Sequence, residues 1–401
     1  MIFKMKVSFT HTKVPDHVDR IIRRVEGSRK GPIILFFAGI HGNEPAGVLA
    51  LEQALGLLES NREHIAGTIY GIIGNKVALS KNKRYIDEDL NRIWTSNFMD
   101  RLESKANLLE EENEMKELLH LIKPIIEENS GPIYFIDFHT TSSKSCPFIT
   151  INDALINRKF AMKFPVPIVL GIEEYLDGPM LSYINQQGYV AIGFEAGQHQ
   201  DENSVKNSIS FIYLTLFFTG AIKKQSFGEF DVHYSILEKS ANQLKKIFEI
   251  VYLHRIAAWE KFTMLSGFES FQPIKKDTAL AIHNEESVKA PLSGRIFMPL
   301  YQSQGSDGFF IIHRIPYWVL KLSAFLRKYK TDNLLTLLPG VFWENKEKKI
   351  LKVNLKTARF LAKPLFHLLG YRVRVTEGHY IKLYNRERAS KKKMYKKTKW
   401  W

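Results

Sequence analysis

The chain has 401 residues, of which 45% are hydrophobic and 25% are charged, as is typical of a soluble globular protein with a sizeable core. Its longest apolar stretch without a charge covers only residues 209–222, which is too short for a typical membrane-spanning helix. The single cysteine, Cys146, excludes an internal disulfide, and the N-terminus lacks a long apolar segment, so we expect a cytoplasmic protein.

The net charge of +15 comes from one part of the chain. Residues 314–401 contain 23 Lys/Arg and 5 Asp/Glu, a net charge of +18. The other 313 residues contain 34 Lys/Arg and 37 Asp/Glu, a net charge of −3. Any inference from charge to an acidic partner therefore concerns the C-terminal segment alone.

The first half of the chain alternates between apolar runs and helical patterns. The runs are rich in β-branched and aromatic residues and cover 32–40, 67–74, 131–138 and 188–194. Residues 45–60 and 107–128 show the three-to-four-residue spacing of amphipathic helices, and 209–222 is interpreted as a buried last helix. Strands that are apolar throughout are buried on both faces, so the pattern predicts an α/β fold with a mainly parallel sheet flanked by helices.

The pattern of the sequence changes near residue 226. A helix is predicted over 233–247, and short segments broken by Gly, Pro and Asp then indicate a small β-rich domain ending near 315. Beyond it, residues 317–330 and 351–370 have the pattern of basic amphipathic helices, and the lysine-rich end is predicted to be disordered. The predicted domains are thus 1–225 for the main α/β unit, 226–315 for the β-rich unit and 316–401 for a basic helical extension.

Each apolar run of the first half is followed by ionisable or amide side chains. Because the carboxyl ends of parallel strands meet at one edge of a sheet, we expect these groups to converge there. In chain order the groups are His41 and Glu44; then Arg84, Asp87, Asp89, Asn91 and Arg92; then Asp137 and His139; and then Glu195 and His199.

These residue types suit a hydrolytic metal site. Two histidines and one glutamate among these groups supply three ligands for Zn²⁺ and leave a fourth position for water. A zinc ion lowers the pKa of a bound water and polarises a carbonyl group, and Glu195 is a candidate base for the proton. Asp137 lies two residues before His139, hence on the same side of a strand, where it is a candidate partner for the imidazole.

The motifs HGNEPAG, RYIDEDLNR, DFHTT and GFEAGQH, in this order, resemble those of the succinylglutamate desuccinylase/aspartoacylase family. The resemblance extends from residue 32 to about 315 and implies a catalytic domain similar to that of zinc carboxypeptidases, followed by a C-terminal β domain. It implies one zinc ion per subunit on His41, Glu44 and His139. It also implies a hydrolase that cleaves the linear amide bond of a small N-acyl amino acid.

The resemblance assigns further roles residue by residue. It implies that Glu195 is the general base and acid, that Arg84 polarises the scissile carbonyl, and that Asn91 and Arg92 bind a substrate carboxylate. The side-chain specificity would come from loops between His139 and Glu195, where Arg158 and Tyr175 are available. GFEAGQH also departs from the proline-containing motif of aspartoacylases, which puts an aspartate-derived substrate in doubt.

Alternatives remain open from the sequence. The same metal site and Arg92 would serve a carboxypeptidase that acts on short peptides, although a β domain over 250–315 would narrow the access. The basic segment 316–401 could instead bind an anionic partner, either nucleic acid through Tyr395, Trp400 and Trp401 or a membrane surface. The oligomeric state is open, and a homo-oligomer is compatible with the sequence.

Overall fold

The apolar runs form the centre of one large sheet. The computed structural model describes residues 19–401 except for 103–104, 106, 345–349 and 358–362. The first 18 residues of the predicted main domain, and residues 358–362 of the helix predicted over 351–370, lie outside the described part.

The strands and helices are numbered in chain order. The strands are β1 Ile21–Glu26, β2 Arg29–Ala38, β3 Ala66–Ile73, β4 Ile133–Thr141, β5 Phe148–Ile151, β6 Ile168–Leu170, β7 Val190–Gln198, β8 Ile247–Arg255, β9 Phe262–Met264, β10 Pro273–Ile274, β11 Ala279–His283, β12 Glu286–Lys289, β13 Gly294–Phe297, β14 Asp307–Arg314, β15 Val341–Trp343, β16 Ile350–Asn354, β17 Tyr371–Glu377 and β18 Tyr380–Asn385. The α-helices are α1 Ala46–Glu59, α2 Lys76–Ser80, α3 Ser96–Leu102, α4 Glu110–Glu128, α5 Leu155–Ala161, α6 Met180–Gln186, α7 Glu202–Thr219, α8 Lys224–Phe227, α9 Phe230–Ser240, α10 Tyr317–Lys328, α11 Lys363–Leu368, α12 Arg386–Ala389 and α13 Lys392–Tyr395. Short 3₁₀ helices cover Arg62–His64, Leu90–Arg92, Ile172–Glu174 and Thr331–Leu337.

The central sheet has eleven strands in the order β1-β3-β2-β4-β7-β5-β6-β8-β14-β13-β10. Its middle strands β3, β2, β4 and β7 are parallel, and every residue of β4 is buried. Helices α1 and α7 pack on one face, while α4 and α6 pack on the other. The predicted α/β class with a largely parallel, helix-flanked sheet is therefore confirmed. Within the described residues, no helix combines the length and the hydrophobicity needed to cross a bilayer.

The β-rich region continues the central sheet. Strand β8 pairs parallel with β6, and β14, β13 and β10 add antiparallel strands beyond it. Strands β12, β11 and β9 form a separate three-stranded sheet. The main unit and the β-rich unit, separated at residue 225 in the sequence interpretation, thus share one sheet. The chain between β13 and β14 reaches the edge where the parallel strands end.

The C-terminal segment differs from the prediction of a basic helical extension with a disordered tail. Helix α10 is present as expected, but β15, β16, β18 and β17 form a four-stranded antiparallel sheet around Leu351, Val353 and Leu383. The lysine-rich end is also ordered, because Tyr395 is fully buried and Trp400 is only 3% exposed. Charged lysines dominate the composition of this tail, but a few aromatic side chains fix its position.

Candidate functional site

The ends of three parallel strands meet as the sequence predicted. His41 and Glu44 follow β2, His139 lies near the end of β4, and Glu195 lies on β7 directly beside His139 in the strand register. Gly42 allows the first loop to pack tightly, since a Cβ atom there would lie 2.1 Å from the backbone carbon of Ala78. These groups line a cavity of about 120 Å³.

His41, Glu44 and His139 form one cluster. Their candidate ligand atoms all lie within 4.8 Å of one another, and the two imidazole centroids are 5.0 Å apart. Nδ1 of His41 lies 2.9 Å from Glu44 Oε1, and Nδ1 of His139 lies 3.1 Å from Glu44 Oε2. Two imidazole nitrogens and a carboxylate are the donors that Zn²⁺ accepts in hydrolytic sites.

Each imidazole is also held by a carboxylate on its other side. Nε2 of His139 lies 2.9 Å from Asp137 Oδ2, the contact expected from their spacing on a strand. Nε2 of His41 lies 3.0 Å from Asp89 Oδ1. A carboxylate at Nε2 favours the tautomer with the proton on that nitrogen and leaves the Nδ1 lone pair for a metal.

The electrostatics of the cluster favour positive charge. Burial raises the pKa of Glu44, but His41 and His139 outweigh this effect and hold the pKa well below its ordinary value. Burial lowers the pKa of His139, but Asp137 and Glu44 outweigh it and raise the pKa well above its ordinary value. Donor types, tautomers and local charge therefore all fit a divalent cation.

Glu195 lies in the same cavity but outside the cluster. Burial raises its pKa to about 8. Its Oε2 atom is buried and has no hydrogen-bond partner in the described part of the chain. A buried oxygen of this kind, beside a candidate metal site, is available for a hydrogen bond with a ligand.

The second motif supplies the arginines. Nη2 of Arg84 lies 3.0 Å from Asp89 Oδ2, whereas its buried Nε atom has no partner within the described residues. Asn91 and Arg92 lie on the 3₁₀ helix Leu90–Arg92 and line the cavity. Arg92 forms an ion pair of 2.7 Å with Asp307, so its charge is partly balanced before any substrate binds.

Several cavity residues were not assigned from the sequence. Gln302 and Asp307 come from the chain around the β13–β14 connection, and Gln302 accepts a 2.9 Å hydrogen bond from Asn43. His199 lies 2.7 Å from the Thr140 hydroxyl and 3.1 Å from Gln302 Oε1. The run GFEAGQH places His199 near this edge. No local signal links Gln302 or Asp307 to it, because their contacts with Asn43 and Arg92 span more than 200 positions of the chain.

The two side chains considered for specificity do not line the cavity. Arg158 is buried against Asp153, with Nε 2.6 Å from Oδ1, and Tyr175 packs in the aromatic cluster below. The cavity wall away from the metal cluster is instead mostly apolar. It contains Ile151, Ile172, Leu176, Leu181, Met298, Leu300 and Phe310.

Residues 30–212 match the family model of the succinylglutamate desuccinylase/aspartoacylase catalytic domain. Aspartoacylase from Mus musculus is 31% identical over 179 residues, which are 42% of this chain and 55% of that protein. Succinylglutamate desuccinylase from Pseudomonas putida (strain GB-1) is 34% identical over 73 residues, 18% of this chain and 22% of that protein. The chain spans from about a third to just over half of the first relatives' length, 55%, 34% and 54%.

A solved structure shows the same fold. The succinylglutamate desuccinylase/aspartoacylase from Rhodobacter sphaeroides superposes with a TM-score of 0.54 at 14% identity and covers 73% of this chain and 88% of that chain. Over residues 30–212 the chain thus matches the succinylglutamate desuccinylase/aspartoacylase catalytic domain, and its fold is that of the solved Rhodobacter sphaeroides structure.

Proposed function

We propose that the protein is a zinc-dependent amidohydrolase that removes the acyl group from a small N-acyl amino acid. The observation that carries this proposal is the cluster of His41, Glu44 and His139 beside the buried carboxylate of Glu195, whose Oε2 atom has no hydrogen-bond partner among the described residues. The names of the relatives, an aspartoacylase and a succinylglutamate desuccinylase, agree with deacylation.

The cluster His41, Glu44 and His139 would hold the zinc ion, with Asp89 and Asp137 fixing the imidazole tautomers. Bound zinc would supply Lewis acidity and a water of lowered pKa. Two carboxylates line the cavity outside this cluster, and Asp307 pairs with Arg92. Glu195 is therefore the residue that accepts the proton of the attacking water and returns it to the leaving nitrogen.

The remaining polar residues orient the substrate. Arg84 donates from its unpartnered Nε to the oxygen of the scissile carbonyl, where negative charge develops during attack. Asn91 and Arg92 bind the α-carboxylate of the amino acid. Oδ1 of Asn91 accepts a 2.9 Å hydrogen bond from the Met180 amide, so the Nδ2 group, which also lies 3.5 Å from His139 Nε2, is the one that would donate to the substrate.

The shape of the cavity favours a small substrate. Residues of the β13–β14 connection, among them Leu300 and Gln302, form part of the cavity wall and narrow the access for a peptide chain beyond the cleaved bond. The apolar wall around Leu176, Leu181 and Phe310 suits an aliphatic or aromatic group better than a second charge.

The test combines metal analysis with one substitution. The purified protein should contain one zinc ion per chain and release free amino acid from members of an N-acyl amino acid panel. Glu195→Gln should retain the metal and lose at least about 100-fold in kcat, because the variant cannot accept the proton. Near-normal turnover of Glu195→Gln would contradict the assigned base. Release of C-terminal residues from short peptides, without deacylation, would favour the carboxypeptidase alternative.

A further inference from the structure

Helix α10 exposes an apolar stripe. Trp318, Leu322, Phe325 and Tyr329 are all exposed, Trp318 to 67%, and follow one another at intervals of four, three and four residues. At about 100° per residue these side chains fall within an arc of about 60°. The helix buries its opposite side against the protein through Leu320, Ser323 and Arg327.

The next element also exposes apolar side chains. In the 3₁₀ helix Thr331–Leu337, Leu334 is exposed and Leu337 is exposed to 80%. Single exposed apolar side chains are normal on a protein surface, whereas a row of them on adjacent elements marks an interaction site. We name the six residues Trp318, Leu322, Phe325, Tyr329, Leu334 and Leu337 the apolar stripe.

The exposed charges of residues 314–337, the segment that carries the apolar stripe, have one sign. Arg314, Lys321, Lys328 and Lys330 are exposed, and the only acidic residue between 314 and 337 is Asp332. Asp332 is buried and forms an ion pair of 2.7 Å with Arg388. By helical geometry Lys321 and Lys328 lie together along one flank of the apolar stripe.

We propose that this face lies on the surface of an anionic lipid bilayer. Trp, Phe and Leu side chains enter the boundary of the acyl chains, while the flanking lysines contact the negatively charged headgroups. A 12-residue helix of this kind lies in the plane of the interface and does not cross the membrane. The catalytic domain would then work beside the membrane surface.

The same observations disfavour two other occupants. A symmetric contact with a second copy would bring the cations of both chains together, with no exposed carboxylate in residues 314–337 to balance them. Nucleic acid would attract the lysines but offers no apolar surface to the leucines. Of the three tail aromatics that could have stacked on bases, Tyr395 and Trp400 are buried and Trp401 is half-buried.

The experiment measures co-sedimentation of the full chain with vesicles of phosphatidylcholine alone or with added phosphatidylserine. The wild type should bind the mixed vesicles, with binding weakened at about 1 M NaCl, where the screening length is about 3 Å. Trp318→Ser/Phe325→Ser should weaken binding at least about tenfold, because two large apolar side chains leave the interface. Lys321→Glu/Lys328→Glu should abolish the preference for phosphatidylserine.

The matched control is Trp259→Ser, since Trp259 is exposed to 86% but lies outside the apolar stripe. This variant should bind vesicles like the wild type, and all variants should keep the wild-type circular dichroism spectrum and deacylase activity. Failure of the wild type to bind mixed vesicles would overturn the proposal, as would equal loss in Trp259→Ser. A wild-type dimer that becomes monomeric in Trp318→Ser/Phe325→Ser without a change in vesicle binding would instead identify a second copy as the occupant.

Discussion

At the scale of single residues, Asp307 offsets the positive charge of Arg92 in the cavity wall. Its carboxylate lies 2.7 Å from Arg92, and Asp89 and Asp177 also contribute negative potential at this guanidinium. Arg84 is paired with Asp89. Neither arginine of the cavity wall is therefore without a carboxylate partner, which disfavours substrates with a second carboxylate.

Asp307→Asn should shift the substrate preference towards dicarboxylic compounds. The substitution removes one negative charge from the cavity wall. The value of kcat/KM should therefore rise more for a substrate with two carboxylates than for a substrate with one. We expect the ratio of kcat/KM for N-acetylaspartate to that for N-acetylleucine to rise about tenfold, the equivalent of about 1.4 kcal/mol.

Asp177→Asn provides the control for Asp307→Asn. Asp177 acts on the same arginine but is exposed, so solvent screens its charge and the ratio should change less than twofold. A parallel fall of both kcat/KM values in Asp307→Asn, with the ratio unchanged, would mean that Asp307 only supports the structure of the wall.

The residue scale also shows what a sequence can predict about this site. His41, Glu44 and His139 cluster as expected, because each follows a strongly patterned parallel strand. Asp137 could be placed beside His139 because alternate residues of a strand share a side. Asp307 could not be placed, since its contact with Arg92 depends on how a distant antiparallel strand closes over the sheet edge.

At the scale of elements, the C-terminal segment illustrates where pattern recognition fails. The sequence predicts a helix over 351–370, but helix α11 covers only Lys363–Leu368 of the described residues there. Strand β16 occupies Ile350–Asn354, with Leu351 and Val353 buried two positions apart. The alternation of buried and half-buried residues in β16 extends over too few residues to outweigh the helical spacing of the surrounding leucines. The four long parallel-sheet strands were predictable, because burial on both faces leaves uninterrupted apolar runs.

The tail should stabilise the protein through Trp400. Its indole Nε1 donates a 2.9 Å hydrogen bond to the Tyr134 hydroxyl, and its ring lies 5.1 Å from that of Phe160. Trp400→Ala should lower the free energy of unfolding by about 3–5 kcal/mol, because it leaves a large cavity in the core. Urea denaturation followed by circular dichroism measures this change.

Trp401→Ala is the matched control for Trp400→Ala. Trp401 is only half-buried and contacts the ammonium group of Lys159 at 4.0 Å, so its loss should cost about 1 kcal/mol or less. Equal effects of the two substitutions would mean that the tail is not part of the core.

At the scale of the whole molecule, one buried carboxylate joins the C-terminal segment to the catalytic domain. Asp153 comes shortly after β5, and the two residues before it, Ile151 and Asn152, line the cavity. Arg158 and Arg327 contact its carboxylate at 2.6 and 2.8 Å, and Arg372 contacts it at 3.1 Å. Because these arginines come from α5, α10 and β17, we expect the two parts of the chain to unfold together.

Asp153→Asn should therefore destabilise the whole chain, by about 3–5 kcal/mol at neutral pH, since it leaves three buried arginines without their shared counter-charge.

Burial raises the pKa of Asp153, but the three arginines outweigh it and hold the pKa well below its ordinary value. The stabilisation is then complete above the unfolded-state pKa of about 3.9 and is lost as the pH falls through that value towards the folded-state pKa. Urea denaturation at several pH values should show the difference in free energy of unfolding between wild type and variant closing below about pH 5.

The control is Asp231→Asn, which changes an exposed aspartate and should keep a small and constant difference from the wild type. Two separate unfolding transitions, or a difference for Asp153→Asn that does not change with pH, would contradict the shared ion cluster as the link between the catalytic domain and the C-terminal segment.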